Sequence, residues 1–332
     1  MISRVKGENL TGKSFEKGLE MVNDGKYAVC VLAGGQGSRL GINGPKGAYT
    51  DDVAYDIKSI FEMILVEPLQ KGVPVYIMTS NENREETENH FRTNKELKKY
   101  IKGVTFFTQG ERPLKDLAGN PLEIDGQTIY GASGHGSVYR SMRNSGVIEE
   151  MKQKGIEKIL ITNVDNVNVS TLDYDFIGES KDTEVTIKSV KKEDPEENVG
   201  VFVLKDNMLS VIEYTEIDYA MRNRKDSSGL YLQQANIMVQ IVDIEFIRKA
   251  ADIDLKLHLQ TKKKWGLEFI KEETFLFDAF YLADSYKIFQ VDRELEFAPI
   301  KTKEDIKPAI LAYFKKKIKA RNVAEEIKKI LD

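Results

Sequence analysis

The chain has 332 residues, 41% hydrophobic and 31% charged, with a formal net charge of −4. That length accommodates one large domain or two small ones, and the composition is ordinary for a globular protein. The negative balance excludes a broad basic surface for nucleic acid, so any polyphosphate partner must be held by locally concentrated charge.

Residues 1–24 are mixed and polar, and 13–24 have the character of a short helix. The apolar run 27–33 reads as a buried central strand that ends in glycines. Its Cys30 is the lone cysteine, which rules out an intrachain disulfide or a cysteine-based zinc site and reads as a buried structural thiol. Helical spacing follows over 56–69, a buried strand over 73–79, a polar helix over 81–91 and a third strand over 104–108. Residues 113–124 read as a hairpin turning at Gly119-Asn120. A second glycine-rich loop at 130–136 leads into a helix over 137–153, and 156–163 is another buried strand. This alternation predicts an α/β sheet, largely parallel, with helices on both faces.

Beyond residue 170 the strand candidates 185–190, 199–204 and 209–214 crowd together, with Asp206-Asn207 as a turn. Such spacing favours antiparallel pairing, so the sheet is expected to be mixed. Residues 291–300 read as a late strand or loop, and 304–332 as an amphipathic helix. The expected organisation is an N-terminal helical segment (1–24), a catalytic domain (25–302) and a C-terminal helical tail (303–332). No apolar stretch approaches a membrane span and the N-terminus lacks an apolar signal core, so a cytoplasmic protein with no membrane partner is expected.

The strongest chemical signal is the loop from Leu32 and Ala33 through Gly34, Gly35, Gly37, Arg39 and Gly41, followed by Pro45-Lys46-Gly47. Glycines let backbone N–H groups approach phosphate closely, and Arg39 and Lys46 add local charge. The spacing fails the dinucleotide fingerprint, because Leu40 stands where its third glycine belongs. It also fails the P-loop, because Lys46 follows Pro45 and precedes Gly47.

With this loop, the chain resembles the UDP-sugar pyrophosphorylases, and most closely those for UDP-N-acetylglucosamine. Their glycine-rich loop carries Thr where this chain has Ser38. The resemblance continues in order through Met78-Thr79-Ser80, Gly134-His135-Gly136, Val164-Asp165-Asn166, the segments at 211–214 and 235–237, FLFDAF at 275–280 and EFAPIK at 296–301. It implies a Rossmann-like, GT-A-like nucleotide-diphospho-sugar transferase fold with a mixed, mostly parallel central sheet. It also implies a reaction of UTP with a sugar 1-phosphate to give a UDP-sugar and pyrophosphate, with Mg²⁺ as cofactor. The sugar it implies is N-acetylglucosamine. A glucose 1-phosphate enzyme is the alternative, and a catalytically inactive UDP-sugar-binding protein is a second.

Carried over residue by residue, Leu32, Ala33, Gly34, Gly35, Gly37, Gln109, Gly134 and His135 face the nucleotide, with the loop glycines supplying N–H groups. Arg39, Lys46, Asp165 and Lys301 are the catalytic candidates, Asp165 also being the metal ligand. Asn166, Glu213 and Asn236 are the sugar ligands. Phe277 and Phe280 read as core, and His90 and His258, placed in charged helical stretches, receive no role. Two departures stand out. His135 occupies a position that is Asn in most acetylglucosamine enzymes, and the chain is shorter than eukaryotic members at both ends. A monomer is expected, without the regulation those extra parts carry.

Overall fold

A computed structural model of the chain describes residues 2–50 and 58–331, with side chains to residue 322. The first residues of the helix expected over 56–69 lie outside the described residues.

Four strands form the parallel core: β2 (Tyr27–Leu32), β3 (Val75–Thr79), β4 (Val104–Thr108) and β5 (Lys158–Asn163). Leu32 registers with Asn163 on one side and Met78 on the other, so the strands end together. Successive strand side chains point to opposite faces. Val29 and Val31 therefore pack with Phe61, Ile64 and Phe91 on one side, while Ala28, Cys30 and Leu32 pack with Tyr139, Met151 and Phe246 on the other. Both faces are covered, which is why β2, β3 and β5 are buried almost throughout and read as largely apolar runs.

The helices on the first face are α1 (Phe15–Asn23), α2 (Ile60–Gln70) and α3 (Arg84–Thr93). A capping box starts α2: Ser59 Oγ accepts from the Glu62 N–H, and Glu62 accepts from the Ser59 N–H. On the second face the helix expected over 137–153 is two helices, α4 (Val138–Asn144) and α5 (Val147–Gln153). The break falls at Ser145-Gly146, where Gly146 takes φ +77, a conformation that a continuous helix cannot contain.

The rest of the ten-stranded sheet is largely antiparallel. Its members are β1 (Ile2–Arg4), β6 (Val185–Lys191), β7 (Val201–Lys205), β8 (Met208–Ile212), β9 (Gln234–Asp243) and β10 (Tyr286–Gln290). The turn between β7 and β8 is Asp206-Asn207, both at positive φ, as a tight hairpin requires. β9 joins the two halves by pairing antiparallel with β5 and β6. The sheet is thus mixed with a parallel core, as expected.

Three features depart from the sequence reading. The N-terminal segment contributes β1 to the sheet as well as a helix. The late segment, read as a strand or loop, contains a helical turn at Arg293–Glu296 ahead of an extended stretch in which Pro299 bridges to Asn166. His258 lies on a hairpin strand, His258–Lys264, and not on a helix. The C-terminal helix α6 (Lys303–Leu331) closes the first face with Ile306, Ile310 and Tyr313. No helix of the described residues is long and apolar enough to cross a membrane.

Candidate active site

Strand ends build the site. The glycine loop leaves β2 at Leu32 and folds back on itself. The Gly37 N–H donates to the Gly44 carbonyl at 2.9 Å, and the Lys46 N–H donates to the Gly35 carbonyl at 3.3 Å. This corrects one expectation: the N–H of Gly37 is used within the loop. Among the described residues, the N–H groups of Gly34 and Gly35 have no intramolecular acceptor.

The loop is pinned from below by Asn83, a fully buried side chain the sequence reading did not single out. Its amide donates to the carbonyls of Ala33 (2.9 Å) and Gly35 (3.3 Å), and its Oδ1 accepts from the Ser80 N–H. Gln109, at the end of β4, lies directly on Gly34, where a methyl group would collide with its amide. The absence of a side chain at Gly34 leaves room for the Gln109 amide to lie there.

Folding back of the loop carries Lys46 inward. It is buried, and its Nζ donates to Asp165 Oδ1 at 2.7 Å. Asp165 follows the carboxyl end of β5, where open α/β sheets hold their ligands. Its side chain remains 31% exposed. Arg39 sits on the exposed turn Ser38–Leu40 and makes no ion pair among the described residues.

Beside this pair is a cavity of about 190 Å³. Its lining includes His135, Asp165, Asn166, Glu213, Asn236 and Lys301, which come from widely separated parts of the chain. Phe277 borders it while remaining buried, and Phe280 is core. Two of the polar groups depend on local backbone devices. A register shift between β6 and β9 leaves Ile237 and Met238 unpaired opposite Lys188/Ser189. Met238 takes φ +56 there, and its N–H donates to Asn236 Oδ1 at 2.9 Å. This bulge re-aims Asn236 toward the cavity. Glu213 is seated against Gly200, where a methyl group would meet its Oε1 at 2.7 Å. Burial, with Glu216 nearby, pushes the Glu213 carboxyl above its ordinary range.

Asn166 lines the cavity, yet its amide is committed to the chain. It donates to the Glu296 carbonyl (2.8 Å), and its Oδ1 accepts from the Ala298 N–H (2.9 Å). With the Ile300 N–H donating to the Asp165 carbonyl, this staples the 296–301 segment along the site and presents Lys301.

Gly134, at φ +86, leads into His135. The His135 Nδ1 accepts from the Leu276 N–H at 3.1 Å, so the neutral ring carries its hydrogen on Nε2. Its ring stacks on Phe275, which also stacks on His258 at 4.1 Å. His258 in turn bonds Asp278 at 2.8 Å. Burial, with the nearby His258, pushes His135 down to about 4. His258 and Asp278 were invisible as partners in the sequence because hairpin pairing decides their approach.

Residues 5–324 match the family described as UTP–glucose-1-phosphate uridylyltransferase. The chain belongs to this family. It is 34% identical over 324 residues to the probable UDP-N-acetylglucosamine pyrophosphorylase of Schizosaccharomyces pombe, covering 86% of this chain and 68% of that protein. It is 32% identical to UDP-N-acetylglucosamine diphosphorylase 2 of Arabidopsis thaliana, covering 87% of this chain and 64% of that protein. The chain therefore spans about two thirds of the length of these relatives. The crystal structure of the Trypanosoma brucei UDP-N-acetylglucosamine pyrophosphorylase, solved with an inhibitor, superposes with a TM-score of 0.82 at 28% identity. That match covers 90% of this chain and 67% of the trypanosomal one. The expected nucleotide-sugar transferase fold is the fold observed.

Proposed function

We propose that the chain is a Mg²⁺-dependent uridylyltransferase that joins UTP to a sugar 1-phosphate, with N-acetylglucosamine 1-phosphate as the sugar. The observation that carries this reading is the Lys46–Asp165 ion pair. It sets the glycine loop and the polar cavity side by side, so a nucleotide held by one meets a sugar phosphate held by the other.

In this reading a sugar phosphate oxygen attacks the α-phosphorus of UTP in line. The α–β phosphoanhydride bond breaks, and pyrophosphate leaves with the bonding electrons. The sugar phosphate is already an anion at neutral pH, so no general base is needed. What the protein supplies is alignment and charge neutralisation. The N–H groups of Gly34 and Gly35, with Gln109 against them, hold the nucleotide. Lys46 neutralises charge at the α-phosphate, Arg39 at the departing pyrophosphate and Lys301 at the sugar phosphate. Glu213 and Asn236 accept and donate hydrogen bonds to sugar hydroxyls, and a sugar lacking those groups leaves them unpaired. Asn166 acts by holding the 296–301 segment.

Asp165 suits Mg²⁺, which takes one or two carboxylates and completes its shell with phosphate and water oxygens. Its side chain is partly exposed, with one oxygen on Lys46. Among the described residues no group of three or more His, Cys, Asp or Glu side chains could cage a metal. The fitting arrangement is therefore a metal shared with the nucleotide phosphates, whose charge it would neutralise.

The choice of sugar follows the names of the relatives, whereas His135 and the family description favour glucose 1-phosphate as the second reading. Incubation with UTP, Mg²⁺ and a panel of sugar 1-phosphates, with pyrophosphate release measured and EDTA as control, tests all of this. Release with N-acetylglucosamine 1-phosphate is expected. Release with glucose 1-phosphate alone selects the second reading. Release with no sugar refutes the activity and leaves a UDP-sugar-binding protein. Release undiminished by EDTA refutes the metal.

A further inference from the structure

A lysine that this reaction does not use reaches the same loop. Lys303 is the first residue of α6. A cation on the first turn of a helix opposes the helix dipole. Its side chain is exposed, and among the described residues it forms no hydrogen bond or ion pair. Gly41 shows where it goes: a methyl group at that position would collide with Lys303 Cε and Nζ. The ammonium therefore lies on the glycine loop itself, beside the turn that presents Arg39.

The backbone holds it there. Asp305 Oδ2 accepts from the N–H groups of Lys301 (2.9 Å) and Thr302 (2.7 Å), so the turn into α6 is closed. One short segment thus sends Lys301 to the cavity wall and Lys303 to the loop. A free ammonium on a loop where the N–H groups of Gly34 and Gly35 also lack an acceptor offers an anion a charge-assisted contact.

We propose that Lys303 is a further substrate-binding residue, contacting the β- and γ-phosphates of UTP and the pyrophosphate they become. This rests on the uridylyltransferase reading for its reaction, but its binding claim is tested separately. Titrations of UTP and of UMP, with Mg²⁺, compare the wild type with Lys303→Met and Lys303→Arg. The expected result is an affinity for UTP about 10-fold weaker in Lys303→Met, the scale of one charge-assisted hydrogen bond. UMP binding should be unchanged, and Lys303→Arg should hold UTP nearly as well as the wild type. In the reverse reaction KM for pyrophosphate rises while KM for the UDP-sugar does not. Unchanged UTP affinity, or equal weakening of UTP and UMP, overturns the proposal. A wild type that binds UTP yet transfers to no sugar refutes the activity alone, leaving the UTP-to-UMP comparison to decide Lys303. A wild type that binds no UTP refutes both.

Discussion

Replacing Asp165 by Asn removes one charge and almost no volume. Asp165 and Lys46 stand 2.7 Å apart, with the lysine side chain 7% exposed and the carboxylate 31%. At an effective dielectric of about 20, charges at that separation attract by roughly 6 kcal/mol before desolvation is counted. Burying the ammonium cancels much of that, and solvent at the carboxylate screens more. The amide oxygen of Asn still accepts from Lys46. The net loss of stability is therefore expected to be about 1–2 kcal/mol, well short of the full penalty for a stranded buried charge. In a chain of this size that lowers Tm by about 1–3 °C. Turnover, by contrast, should fall at least about 100-fold, because a preorganised charge at the reacting phosphates is lost. Calorimetry and pyrophosphate release, measured on the same preparation, separate the two. Turnover within about threefold of wild type refutes the role given to Asp165, since that is far less than one electrostatic group contributes. A fall in Tm above about 10 °C would show that the residue acts chiefly on folding.

Glu213→Gln should raise KM for the sugar 1-phosphate about 10-fold and leave KM for UTP unchanged, as loss of one charged hydrogen bond implies. Because burial holds the Glu213 carboxyl above its ordinary range, the folded state binds its proton more tightly than the unfolded chain does. Ionisation then costs stability as pH rises, so Gln should stabilise the protein at neutral pH, read as a higher Tm at pH 7 than at pH 4 relative to wild type. The His135 imidazole should titrate near 4 by NMR and contribute no inflection to turnover between about pH 6 and 8. Its lowered value also means that stability declines as pH drops below about 6.5, where the unfolded histidine takes up a proton that the folded one resists. Lys188→Met should destabilise by about 3 kcal/mol, since it removes the buried ammonium that Asp173 and Glu296 share and leaves Glu296 only its longer ion pair with Lys316. Lys188 lies 2.7 Å from Asp173 and 3.1 Å from Glu296. Burial raises both carboxyls, but Lys188 and Lys316, with hydrogen bonds from the Phe176 N–H to Asp173 and from Ser170 to Glu296, together hold them below the usual range. Their contribution is present above about pH 4 and lost as pH falls through the lowered folded values, so wild-type denaturant midpoints should drop in acid more steeply than those of the mutant.

The apolar runs at 27–33, 73–79 and 156–163 determined the centre of the parallel core by themselves, because a strand covered on both faces tolerates little polar alternation. The glycine loop and the ordered motifs after it named the family for the same kind of reason: local spacing records what the backbone near a phosphate must do. Pairing across long distances is not written locally. β9 carries Asn236 at a bulge that exists only against β6, and the strand itself was read only as a short motif. Asn83 gives no local sign that it holds the loop from beneath, nor Asn166 that it staples 296–298. His258 looked helical because its charged neighbours are exposed hairpin positions, and its partner Asp278 arrives from a later segment. Lys303 passed for an ordinary charge of the terminal helix. Only the packing of that helix beside Gly41 brings its ammonium onto the loop, since the end of a long side chain is placed by what the tertiary structure leaves open.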